Sequence, residues 1–177
     1  MVHSPGQILG GKYRLLRQLG QGGMGSVWQA EHLGLHSLVA LKLVERSDGA
    51  DHEQGWRFVR EARAAAALRS QHVVQILDYG MSESTPYIAM ELLVGESLRE
   101  RLDRVGTLSL SETARVVEHV ARAAQRAHVA GIIHRDLKPE NLFVVESEGQ
   151  ELVKVLDFGI AKSASAMLGA TVRRARS

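Results

Sequence analysis

The chain has no cysteine among its 177 residues, which excludes a disulfide framework and any thiolate metal site. That fits a reducing compartment, and a cytoplasmic location is the expectation. Long apolar runs are also missing: none approaches the roughly 18 residues needed to cross a bilayer. The start, Met1 to Gly11, lacks the basic segment and apolar core of a secretory leader. A soluble chain, neither secreted nor membrane-spanning, is therefore expected. Nor does one sign of charge dominate, since 22 Lys and Arg stand against 20 Asp and Glu. The basic pI comes from that near balance plus a basic tail, so nucleic acid is not an expected partner. With 45% hydrophobic residues, the chain can bury a substantial core in about one domain.

What is present is concentrated in one stretch, His134-Arg135-Asp136-Leu137-Lys138-Pro139-Glu140-Asn141, followed downstream by Asp157-Phe158-Gly159. Between them, Leu142 to Val145 and Val153 to Leu156 flank a polar Glu146 to Gln150, which predicts a hairpin. A hairpin brings its two ends together, so Asp136, Asn141 and Asp157 can face one magnesium-phosphate site. A lone Asp-Phe-Gly would read as a surface turn. Joined to the longer motif at hairpin distance, it reads as chemistry: a base, a cation and two oxygen ligands. Phosphoryl transfer needs those groups, because its loose transition state leaves the protein mainly to orient a hydroxyl and neutralise phosphate charge.

Upstream, Tyr13 to Leu19 and Val27 to Glu31 are β-prone segments around Gly20-Gln21-Gly22-Gly23-Met24-Gly25. Glycine suits a sharp turn whose backbone must approach phosphates. A dinucleotide-binding turn would open a helix here, whereas the sequence predicts a strand. Leu38 to Val44 is a third strand, with Lys42 enclosed by apolar neighbours and so in need of a partner. A helix is predicted over Glu53 to Ser70, with Trp56, Phe58, Val59, Ala62, Ala65 and Ala66 on its packing face. Two further strands are predicted at Val73 to Gly80 and Tyr87 to Leu93.

A short helix near Arg99 to Asp103 follows the turn at Gly95 to Leu98. A longer one, capped at Ser109 with Glu112, runs to about Ala130 and ends on Gly131. Its predicted apolar stripe is Val116, Val117, Val120, Ala124, Ala127 and His128, with Arg115, Glu118, Arg122 and Arg126 on the wet side. His119 and His128 read as surface or packing residues, since no paired cysteine or carboxylate pattern accompanies them.

In these motifs the chain resembles the protein kinases, most closely the bacterial members of the eukaryotic-type serine/threonine branch, over about Tyr13 to Lys162. The resemblance implies an α+β fold: an antiparallel β-sheet lobe with one helix, then the beginning of a helical second lobe. The expected division is a tail over 1–12, the first lobe over 13–94, a partial second lobe over 95–162, and an activation segment and basic tail over 163–177. It implies ATP and magnesium as cofactors and a protein Ser or Thr hydroxyl as acceptor. By resemblance Asp136 takes the acceptor proton, Lys138 steadies the phosphate, and Asn141 with Asp157 holds magnesium. Lys42 pairs the phosphates and Glu61. Leu19, Gly20, Gly22, Gly25, Val27, Ala40 and Phe143 are implied to line the nucleotide, with Met90 at the back of its pocket and Glu91 and Leu93 at the adenine edge. His134 and Phe158 are expected to pack the site.

The family pattern is not matched after Gly159, where no Ala-Pro-Glu motif or large helices follow. The expectation is an incomplete peptide-binding lobe, with the stripe of the Ser111 to Ala130 helix uncovered or docked on a partner. Two other classes remain open: a nucleotide-binding but inactive interaction module, and a small-molecule phosphotransferase.

Overall fold

Alternation of inward and outward residues builds the first half of the molecule. The computed structural model describes residues 3–22, 25–44, 62–83, 85–147 and 149–158. β1 (Ile8–Leu9), β2 (Tyr13–Gly22), β3 (Gly25–His32), β4 (Ser37–Val44), β5 (Ile76–Ser82) and β6 (Thr85–Glu91) form one antiparallel sheet in the order β1-β2-β3-β4-β6-β5. Its inner face buries Tyr13, Leu15, Trp28, Ala30, Val39, Leu41, Leu43, Tyr87 and Ala89 in one cluster. The Trp28 indole is satisfied by donating from Nε1 to the buried Ser26 hydroxyl at 3.0 Å, which avoids the cost of an unpaired buried donor. Residues 62–66 are helical, with Ala62 and Ala65 buried. Trp56, Phe58, Val59 and Glu61 lie outside the described residues.

β5 is tied back to the start of β2 by a polar cluster. The Asp78 carboxylate accepts from Lys12 Nζ at 3.1 Å, from Tyr13 Oη at 3.0 Å and from the Tyr79 N–H at 2.9 Å. Burial pushes the Asp78 carboxyl up, but these hydrogen bonds outweigh it and hold the group below the ordinary carboxylate range. Burial, then the bond to Asp78, pushes the Tyr13 phenol well above its usual value. Because the folded carboxyl titrates below an unfolded one near 3.9, its stabilisation is present above about pH 4 and lost as pH falls through the folded midpoint. Asp78→Asn is expected to cost about 1–2 kcal/mol in urea unfolding at pH 7. The gap from wild type should narrow as pH falls below about 4; a constant gap would contradict the assignment.

The second half is built on a three-stranded sheet, β7 (Gly95–Ser97), β8 (Leu142–Ser147) and β9 (Gln150–Val155), in that order. It carries α1 (Leu98–Val105) and α2 (Leu110–Val129), with a 3-10 turn at Pro139–Asn141. Both helices start on capping boxes, Ser97 with Glu100 and Ser109 with Glu112, in which each serine and glutamate satisfies the other's backbone N–H. Ion pairs run from Arg104 and Arg101 to Glu96, and from Arg101 and Arg115 to Glu151, at 2.6 to 3.2 Å. They connect both helices to β7 and β9. By contacts the described residues fall into two compact units, 3–44 with 62–66 and 76–92, and 67–75 with 93–158.

Three local expectations are corrected. The strand predicted from Val73 begins at Ile76; Val73 and Val74 instead bond alongside Val155 of β9. Gly95 to Ser97 is a strand rather than a turn, because Gly95, Glu96 and Ser97 pair with Val145, Val144 and Phe143. The stripe of α2 is rotated in part: Ala127 is buried and Val116, Val120 and Ala124 half-buried as expected, and Ala123 and His119 join them, while Val117 is 61% exposed and His128 lies outside. Leu110, Ala114, Val117 and Ala121 make a second apolar line on the same helix, so periodicity alone did not choose between neighbouring faces. Among the described residues no helix is long and apolar enough to cross a membrane.

Candidate active site

In the first unit the sheet register sets one face. Residues directly opposite on neighbouring strands share a face, and Val27 lies opposite Lys42, Lys42 opposite Ile88, and Ala40 opposite Met90. Gly20 lies opposite Val27 on the other side. Gly20, Val27, Ala40, Lys42 and Met90, chosen from sequence for different reasons, therefore form one patch. Ile88 joins them; an isoleucine in a strand reads as core from sequence, although its position two residues before Met90 carries the signal. Ala40 is buried, while Val27, Lys42 and Met90 are half-buried. Lys42 was expected to be enclosed, but Leu41 and Leu43 take the core face and leave it on the other.

β2 and β3 meet at the pair Gly22 and Gly25, and β3 continues from Gly25 as a strand, which removes the dinucleotide-type turn. A Cβ added at Gly20 or Gly22 would meet nothing within 4 Å, so the hairpin offers open backbone. Leu19 sits at the irregularity of register between Gln18 and Gly20, two-fifths exposed. Glu91 ends β6 opposite Val39. Leu93, half-buried, follows in the second unit. Glu61 lies outside the described residues, so its pairing with Lys42 does too.

In the second unit the loop after α2 is held by its own side chains. Ala130 ends the helix and Gly131 follows at φ +72°, the left-handed exit expected there. His134 is buried, with Nε2 donating to the Leu156 carbonyl at 2.7 Å and Nδ1 accepting from the Asp136 N–H at 3.2 Å. That pairing places the ring proton on Nε2. Phe158 packs edge-on against the ring at 4.9 Å, so His134 and Phe158 pack the site as expected. Asn141 Nδ2 donates to the Asp136 carbonyl at 2.8 Å and to Asp136 Oδ2 at 3.3 Å. Lys138 Nζ lies 3.1 Å from the same Oδ2. Arg135 and Asp157 both adopt left-handed φ, +64° and +55°, a strain that side chains bear only where surroundings hold them.

The hairpin β8–β9 does what its sequence predicts: the Leu156 N–H donates to the Asn141 carbonyl at 2.9 Å, which fixes the residue before Asp157 against Asn141. Asp136, Lys138, Asn141 and Asp157 are thus gathered on one loop and hairpin. Phe143 lies half-buried on β8, opposite Ser97 and Lys154. Sequence reading missed the backbone of Leu156 as the hub of this arrangement, because a main-chain role leaves no residue signature.

A glycine hairpin and lysine strand in one unit, and a strained Asp–Asn loop on a hairpin in the other, together give the protein-kinase fold. The crystal structure of the Mycobacterium tuberculosis PknI kinase domain matches with TM-score 0.79 at 33% identity, over 90% of this chain and 64% of that one. A family model described as protein kinase domain matches residues 13–173, and the chain belongs to that family. It is 42% identical over 159 residues to serine/threonine-protein kinase pkn3 of Myxococcus xanthus, covering 89% of this chain and 29% of the relative. It is also 42% identical over 166 residues to PknA of Mycobacterium tuberculosis, covering 91% and 38%. The chain spans about a third of the length of these relatives, which are named serine/threonine-protein kinases.

Proposed function

We propose that this chain is the catalytic region of a serine/threonine protein kinase, transferring the γ-phosphate of ATP to a protein Ser or Thr hydroxyl with magnesium. The observation that carries the reading is the Asp136 cluster, in which one carboxylate is oriented by Asn141 and lies beside Lys138. With Nδ2 of Asn141 committed to Asp136, its amide oxygen is the atom that remains for a cation. Together with the Asp157 carboxylate this makes an all-oxygen donor pair of the kind magnesium takes when phosphates complete its shell. Bound magnesium supplies charge neutralisation at the phosphates. Asp136 orients the acceptor hydroxyl and takes its proton, Lys138 balances charge on the transferred group, and Lys42 with the open glycine backbone holds the nucleotide phosphates. ATP supply and the absence of cysteine favour the cytoplasm.

A second reading, a nucleotide-binding module without transfer, draws on the exposed line of α2, where Leu110 is 88% and Val117 61% exposed. Transfer of labelled γ-phosphate to a basic protein acceptor separates the two. Wild type is expected to transfer, and Lys42→Met to lose at least about 10²-fold. A folded wild type that saturates with magnesium·ATP yet transfers nothing would support the module instead.

A further inference from the structure

β9 leads into Asp157, and among the described residues its outer edge is closed by the backbone of His72 to Val74 and by the rings of His72 and His119. The Val155 N–H donates to the His72 carbonyl at 2.8 Å, and the Val74 N–H to the Val155 carbonyl at 3.0 Å. Two residues upstream, the Val153 peptide is gripped at both ends. Its carbonyl accepts from His72 Nδ1 at 3.3 Å, and its N–H donates to His119 Nδ1 at 3.2 Å. The two rings stack with centroids 4.3 Å apart and planes 26° off parallel. His72 is 2% exposed, and its Nε2 lies 3.2 Å from the Gln71 amide nitrogen. These bonds require opposite tautomers, with the proton on Nδ1 of His72 and on Nε2 of His119.

We infer that His119 is a positioning residue for Asp157, holding β9 through the Val153 peptide in a clamp with His72 that acid releases. The inference rests on the kinase reading for the role of Asp157. A protonated His119 has a donor at Nδ1 where the Val153 N–H needs an acceptor, so that bond is lost. The His72 bond already uses a proton on Nδ1, whereas the His119 bond needs a bare Nδ1, so His119 is the member whose hold a proton breaks. Burial lowers the His119 midpoint, helped by His72, Arg122 and Arg115 and opposed by Glu118. On β9, Glu151 is engaged by Arg101 and Arg115, and Lys154 alternates to the face opposite Val153. Because the folded ring titrates below an unfolded one near 6.5, the hold is complete above about pH 6.5 and is lost as pH falls through the folded midpoint.

The test is amide hydrogen exchange on the full chain at pH 7.5 and 5.5, corrected for intrinsic exchange, for wild type and His119→Gln. The glutamine oxygen can accept in place of Nδ1 and does not titrate. Protection at Val153 and Val155 is expected to fall about tenfold in wild type and less than about twofold in the variant. Magnesium·ATP affinity, taken as the ratio of wild type to variant so that the nucleotide's own titration cancels, should fall about fivefold over the same interval. Equal loss of protection in both proteins, or lost protection with an unchanged affinity ratio, would overturn the inference. If neither protein binds magnesium·ATP at either pH, the kinase reading fails, and the exchange data still decide whether the clamp is acid-labile. Should His119→Gln not fold, the wild-type His119 ring titration followed by NMR decides: a midpoint below about 6.5 supports the clamp and one at or above it overturns it.

Discussion

Asp136→Asn is expected to lower turnover by about 10²–10⁴-fold while magnesium·ATP affinity changes by less than about threefold. The amide keeps the size of the carboxylate and an oxygen toward Asn141 Nδ2 and Lys138 Nζ, which lie 3.3 and 3.1 Å from Oδ2. What it loses is the capacity to take a proton and the negative charge that balances Lys138. Groups that touch the nucleotide in the proposed mechanism, Lys42 and the glycine hairpin, are untouched. A fall in turnover matched by an equal fall in nucleotide affinity would show that Asp136 acts on ground-state binding and not on the hydroxyl.

Gly95→Ala is expected to be the most destabilising small substitution in the second unit, by about 3 kcal/mol or more, a large part of a total of about 5–15 kcal/mol. Gly95 has φ +151°, and an added Cβ would lie 2.0 Å from the Val144 carbonyl oxygen and 3.0 Å from its carbon. Both are backbone atoms of β8, so relief requires the β7–β8 pairing to separate, and with it the strand that follows directly on Asn141. Gly106, at φ +80° after α1, isolates the cause: a Cβ there meets nothing within 4 Å, so Gly106→Ala should cost only the strain of the left-handed conformation, about 1–2 kcal/mol. Equal losses in urea unfolding of the two variants would contradict the clash.

The contrast between these two positions shows what the sequence could and could not convey. The Asp136 to Asn141 loop was legible because its chemistry is local: base, cation and amide follow one another in the chain, and the hairpin behind them is announced by β-prone runs around a polar turn. Ser109 with Glu112 announced α2 for the same reason. Gly95 was read as a turn because three residues cannot show an alternation, and its need for glycine arises from Val144, far along the chain. Val73 and Val74 looked like the beginning of β5 because valine favours strands without saying which strand it joins. The valines and alanines of α2 fill two adjacent faces, so the buried one was fixed only by packing on β9. His119 was a lone histidine on a helix until the fold stacked His72 on it.

Phosphoryl transfer by this chain's own loop is read out by the identity of the labelled residue after incubation with magnesium and γ-labelled ATP. Phosphoserine or phosphothreonine in the wild-type reaction and neither with Asp136→Asn is the predicted result. Equal labelling by the two proteins, or none from a folded wild type that binds magnesium·ATP, would contradict it.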